Sequence, residues 1–122
     1  MTTEQANQLK YIYETITSSE IEFVYANTRT SKSISYTFQK PYSEVYIITS
    51  NSIDGYETVT ISGKTTSIVN NPKTSKSYAG IGFYNTTYTF KVTNVVKGDS
   101  ITIASNLADG RIVGSIIIIG VI

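Results

Sequence analysis

The chain has 122 residues, a formal charge of +1, and no cysteine, histidine or tryptophan. That length fits one domain able to bury a core without covalent staples. The missing residue types exclude a disulfide framework, thiol nucleophiles, the usual zinc sites and the commonest general base, and the near-neutral charge gives no basic footprint for nucleic acid.

Ser and Thr supply 33 residues and Tyr supplies 10. Together with Ile and Val, these types suit a pleated, half-buried surface. Helix formers become scarce after Glu22. The chain therefore reads as mainly β: a short N-terminal helix within residues 1–19, then an antiparallel, jelly-roll-like β-sandwich of eight or nine strands over residues 20–122.

The opening MTTEQANQLK is polar, which predicts no signal peptide. Thr2 and Thr3 can cap a helix, and Gln5 lies three residues after Thr2 in a capping-box arrangement. Leu9, Ile12 and Ile16 recur at helical spacing. A helix of about 14–16 residues is marginal alone in water, so this stripe must be covered. Two covers fit: the chain's own β-domain, or a parallel coiled coil whose aliphatic a and d positions favour three strands or more.

From Ile21 the apolar period is two. Ile21, Phe23 and Tyr25 share one strand face, and Asn27 to Lys32 reads as a loop. Ile34, Tyr36 and Phe38 alternate with polar residues until Lys40-Pro41 breaks the run. Val45 to Thr49 is continuously apolar enough for a central strand. Asp54-Gly55 is a tight-turn signal. Glu57, Val59 and Ile61 form the next face, and a short strand follows near Thr66 to Val69. Asn70 to Ser77 reads as the longest polar loop, and Asn85-Thr86 as a turn. Tyr88, Phe90 and Val92 alternate, Gly98-Asp99 turns, Ile101 and Ile103 alternate, and Asp109-Gly110 turns again.

Alternation fails at the end, where residues 116–119 are four isoleucines. Both faces of this strand need cover, either as the centre of one sandwich or with one face in a subunit contact. Left exposed, it would be an aggregation hazard. The stretch from Ile112 to Ile122 is too short to cross a bilayer as a helix, so no membrane insertion is expected. Leu9, Ile12, Ile16, Ile116 and Ile118 are the candidate oligomerisation residues.

The acids give little chemistry. Asp54, Asp99 and Asp109 sit beside turn glycines, where local hydrogen bonding explains them. Glu4, Glu14, Glu20 and Glu22 read as a solvated helix surface. No carboxylate pair, phosphate-binding loop or calcium loop stands out, so no enzyme activity, cofactor or metal is expected. Asn85-Thr86-Thr87 matches a glycosylation sequon but reads as a turn. Tyr42, Tyr46, Tyr56, Tyr78 and Tyr84, near strand ends or opposite the apolar face, are the candidate ligand-binding residues. A tyrosine offers rigid contact area and a hydroxyl.

MTTEQANQLKYIYETI resembles the helical start of small virion proteins from phages of Gram-positive bacteria. VVKGDSITIA and DGYETVTISG look like turns and strands of β-sandwich domains in phage fibre, baseplate and capsid-decoration proteins. The resemblance implies a homotrimer located in the virion. Its helix would attach to capsid or tail proteins, and its β-domain would face outward to reinforce the particle or bind a host-surface glycan. It transfers no catalytic residue. A bacterial carbohydrate-binding or adhesion module is the alternative.

Overall fold

A computed structural model describes residues 2–15, 21–29, 31–51, 57–62, 64, 66–70, 73–78, 81–106 and 114–122, with side chains at all of these but 13, 15, 29, 51, 68–70, 73–78 and 81–86. Helix α1 spans Thr3–Thr15. The strands are β1 (Ile21–Arg29), β2 (Ser33–Thr37), β3 (Tyr42–Asn51), β4 (Glu57–Ile61), β5 (Ser67–Asn70), β6 (Lys73–Tyr78), β7 (Ile81–Val95), β8 (Ser100–Ser105) and β9 (Gly114–Val121).

They form two antiparallel sheets. The larger runs β1-β9-β3-β7, and the short β5 and β6 add to β7; the smaller runs β2-β8-β4. Nine strands lie among the described residues, seven of them in the two layers when the short β5 and β6 are set aside. β5 and β6 pair with successive stretches of β7, β5 near its end and β6 at its start.

β9 is central, between β1 and β3. Its isoleucines divide by face. Ile116 and Ile118 enter the core between the sheets with Val45, Ile47, Tyr88, Phe90, Val92, Val59, Ile61, Ile101 and Ile103. Ile117 and Ile119 turn the other way, into a second cluster with Tyr46, Ile48, Val121, Leu9 and Ile12. Each fully buried isoleucine is worth roughly 1.5–3 kcal/mol of burial. The broken alternation at residues 116–119 thus reflects a strand covered on both faces by its own chain.

Helix α1 supplies the outer cover. Its buried positions are Gln5, Gln8, Leu9 and Ile12, one helical stripe. Thr2 and Gln5 form the expected capping box: Gln5 N–H donates to Thr2 Oγ1 at 3.0 Å, and Thr2 N–H donates to Gln5 Oε1 at 3.1 Å. The helix is docked on its own sheet, which is the first of the two covers its stripe allowed. No helix among the described residues is long and apolar enough to cross a membrane.

Three local readings change. β1 carries a bulge between Phe23 and Tyr25, so its alternation shifts phase: Phe23 is 56% exposed while Val24 and Tyr25 pack on the inner core. The same strand continues through Asn27 to Arg29, where a loop was expected. Lys73–Tyr78 is a strand, not a loop, and β7 passes through Asn85-Thr86 without turning. Thr86 pairs with Asn51 on one edge and Lys73 on the other, so these polar residues mark where the β3 pairing ends and the β6 pairing, on the opposite edge, begins. The tight turns expected at Asp54-Gly55 and Asp109-Gly110 lie outside the described residues.

Candidate functional site

The residues expected to join subunits are used inside the chain. Leu9 and Ile12 are buried on the outer face of the large sheet, and Ile116 and Ile118 are fully buried between the sheets. The reason for expecting a second chain over these surfaces is therefore removed. Ile16 lies outside the described residues.

Of the tyrosines, Tyr42 and Tyr46 are buried at 6% and 8% exposure, so neither presents an open ring. They belong to different clusters: Tyr42, at the start of β3, packs in the inner core and Tyr46 under the helix. Tyr56, and the side chains of Tyr78 and Tyr84, lie outside the described residues.

Each buried tyrosine is instead the base of a Tyr–Glu–Lys cluster. At the β2–β3 corner the Tyr42 hydroxyl donates to Glu22 Oε1. Lys40 Nζ lies 2.8 Å from the same oxygen and 2.9 Å from Glu22 Oε2. The Lys40 and Tyr42 hydrogen bonds hold the Glu22 carboxyl below the usual carboxylate range. Burial, followed by the bond to Glu22, pushes the Tyr42 hydroxyl well above its usual range.

Tyr42 also ends an aromatic ladder along the β1–β2 side of the sandwich. Tyr25 stacks on Tyr36 with centroids 4.9 Å apart, Tyr36 meets Phe38 at 5.3 Å, and Phe38 meets Tyr42 edge-on at 6.1 Å. Opposite the ladder's end, the turn between β7 and β8 is fixed by Asp99. Its Oδ2 accepts from Val96 N–H at 3.0 Å and lies 2.8 Å from Lys64 Nζ. The bond to Lys64 and that to Val96 lower the Asp99 pKa. Gly98, at φ 94°, supplies the left-handed position of this turn. This is the local role expected of an aspartate beside a turn glycine.

The second cluster lies on the outer face beside the helix. Tyr46 donates to Glu44 Oε2 at 2.9 Å. Lys91, its register partner on β7, places Nζ 3.7 Å from Glu44 Oε1 and 5.8 Å from the Tyr46 ring centroid. Burial and then the bond to Glu44 push the Tyr46 hydroxyl up to about 12. Tyr11, on the helix flank, is 54% exposed. Nothing in the sequence pattern singles it out; its exposure follows from lying beside the buried Gln8–Ile12 line.

The larger sheet also has a groove of about 340 Å³ lined by Phe23, Ala26, Thr28 and Ile117, and the β3–β7 end has one of about 360 Å³ between Tyr42, Val95, Val96 and Ile122. Both are shallow and largely apolar. Among the described residues no group of three acidic, histidine or cysteine side chains is placed to hold a metal ion. The chain matches no family model, no curated protein and no solved structure.

Proposed function

We propose that this chain is a non-enzymatic virion accessory protein of a phage, a fibre, head-fibre or decoration component whose β-domain reinforces the particle or binds the host surface. The observation that carries the reading is the strand circuit. Leaving aside β5 and β6, which join β7 in the larger sheet, successive strands alternate between the sheets, β9 returns between β1 and β3, and β8 returns between β2 and β4. We read that order as jelly-roll-like, an architecture used by viral capsid and lectin domains. Fold alone does not fix function, so the reading also leans on the resemblance of the opening helix and of the GDSITI turn.

In this reading the protein is a homotrimer in the virion. Its contacts between copies, or with capsid or tail proteins, use surfaces other than the Leu9–Ile12 stripe. Phe23, Val96 and Ile122, each more than half exposed, are apolar side chains left for that purpose. Co-sedimentation of the purified chain with phage capsids and with tails tests the proposal. Saturable attachment to one of them supports it, and attachment to neither removes it.

The alternative is a carbohydrate-binding or adhesion module. The exposed Tyr11 on the helix flank and the part-exposed Glu44–Lys91 pair favour it. A glycan array separates the two: glycan binding without particle attachment selects the module.

A further inference from the structure

We infer that the outer-face cluster of Tyr11, Glu44 and Lys91 is a binding site for a neutral sugar, taken through a pair of neighbouring hydroxyls and one apolar ring face. This rests on the surface-binding part of the reading above, and not on virion attachment.

The geometry begins with the ion pair. Lys91 Nζ and Glu44 Oε1 stand 3.7 Å apart, with side chains 32% and 33% exposed. That separation exceeds a hydrogen bond. Glu44 Oε2 is engaged by the Tyr46 hydroxyl at 2.9 Å, which fixes the carboxylate and leaves Oε1 toward Lys91. A sugar hydroxyl between the two charged atoms would donate to Oε1 and accept from Nζ. A neighbouring hydroxyl would take a further ammonium hydrogen. Both bonds are charge-assisted, the stronger kind.

The stacking surface comes from the helix. Gln8 sits over β7, where its Oε1 accepts from Thr89 Oγ1 at 3.1 Å. Tyr11 follows Gln8 by three residues and so lies on the same flank. Lys91 follows Thr89 by two residues and so lies on the same face of β7. The Tyr11 ring is thereby carried to the Lys91 side of the helix at 54% exposure. An exposed aromatic face attracts the C–H face of a pyranose. The exposed Ser67, which pairs with Lys91 across the β5–β7 ladder, adds a hydroxyl at the rim.

The paired charges select the ligand class. Glu44 repels an acidic sugar and Lys91 repels an amino sugar, so a neutral pyranose meets neither penalty. The tyrosine that looked the best ligand candidate in this region, Tyr46, acts instead as a positioning residue that holds Glu44.

Titration of the full chain followed by backbone amide NMR tests this. The probes are methyl α-glucopyranoside, methyl β-galactopyranoside and methyl N-acetyl-β-glucosaminide, with glucuronate and glucosamine as charged controls. Saturable shifts are expected at the amides of Tyr11, Tyr46, Ser67 and Lys91 with at least one neutral probe. Tyr11→Ala and Lys91→Gln should each weaken that binding by about tenfold or more, and Tyr11→Phe should keep it. Undisturbed amides in β2 and β8 show that each variant is folded. The proposal is overturned by any of three results: no saturable shift with the three neutral probes, tighter binding of glucuronate or glucosamine, or binding that survives both Tyr11→Ala and Lys91→Gln. Capsid and tail co-sedimentation of the Tyr11→Ala variant reports on virion attachment separately.

Discussion

The ring of Tyr42 lies across Gly120 so closely that a Cβ on residue 120 would stand 2.3 Å from Tyr42 Cδ1 and 2.4 Å from Cε1. Gly120 faces Glu22 across the β1–β9 ladder, and Glu22 accepts the Tyr42 hydroxyl. The missing side chain at 120 is what lets the ring reach that carboxylate. Gly120→Ala should therefore destabilise the fold by about 1–3 kcal/mol through overpacking. Urea denaturation measures the loss. In the double variant with Tyr42→Ala the two costs should fall short of additive, because the clash is gone. Full additivity would mean that the ring moves aside freely.

Acid should weaken the chain through Glu22 and Asp99. Both carboxyls have pKa values lowered in the fold, Glu22 first by Lys40 and Asp99 first by Lys64. A lowered folded-state pKa means that the unfolded chain binds the proton more readily. The stabilisation is present above the unfolded values, near 4.5 for Glu22 and 3.8 for Asp99, and is lost as pH falls through the lower folded values. Urea midpoints measured downward from pH 6 should decline on this limb. Glu22→Gln should flatten the decline; an unchanged acid slope in that variant would remove Glu22 from the account.

Alkali should act through Tyr46. Its hydroxyl is raised from 10.0 to about 12. Here the folded chain holds the proton more tightly, so stability is present below pH 10 and lost as pH rises toward 12. Absorbance titration near the tyrosinate band should show a late-ionising component, reduced by Tyr46→Phe with Tyr42 supplying the remainder. A Tyr46→Phe variant with the same late component would assign it to Tyr42 alone, which is also raised.

Much of this fold is legible in the order of residue types. Period-two alternation found β2, β4 and β8, and the broken alternation at Ile116–Ile119 found a strand covered on both faces. What alternation could not reveal was the identity of the cover. Leu9 and Ile12 have the same spacing whether they meet a neighbouring helix or their own sheet. The deciding residues are Gln5 and Gln8, polar members of the stripe that match polar partners at one end of the sheet face, Ser115 and Thr89. A coiled-coil seam has no such partners. The bulge between Phe23 and Tyr25 was hidden for a related reason: a bulge leaves no mark in composition, so Phe23 read as sharing a face with Tyr25. Tyr42 and Tyr46 read as surface because a buried hydroxyl needs a partner that sequence does not place, here Glu22 and Glu44.

The intramolecular docking of the helix makes Leu9 a stability residue. Leu9→Ala should cost about 2–5 kcal/mol in the docked state, less where the helix detaches before the sandwich unfolds. Light scattering should return the same mass for Leu9→Ala as for the unaltered chain. A fall in mass on this substitution would return the stripe to a subunit interface.

Gln5 should be the residue on which docking depends most. It is fully buried, and its amide is saturated: Nε2 donates to Ile48 O at 3.4 Å and Ser115 O at 3.3 Å, and Oε1 accepts from Ser115 Oγ at 2.6 Å and from Thr2 N–H at 3.1 Å. It ties the helix start to β3 and β9 together. Gln5→Leu keeps the bulk but leaves buried hydroxyl and carbonyl groups without this partner, at about 1–3 kcal/mol per group. Gln5→Glu is the sharper variant, because an ionised carboxylate keeps the acceptors and cannot donate to the two carbonyls. In hydrogen exchange, amides of Thr3–Thr15 should lose protection in Gln5→Glu at pH 7 while β2 and β8 keep theirs. Lowering the pH should restore part of the helix protection by returning a proton to the side chain. Uniform loss in helix and sheets would show instead that helix and sandwich unfold as one unit.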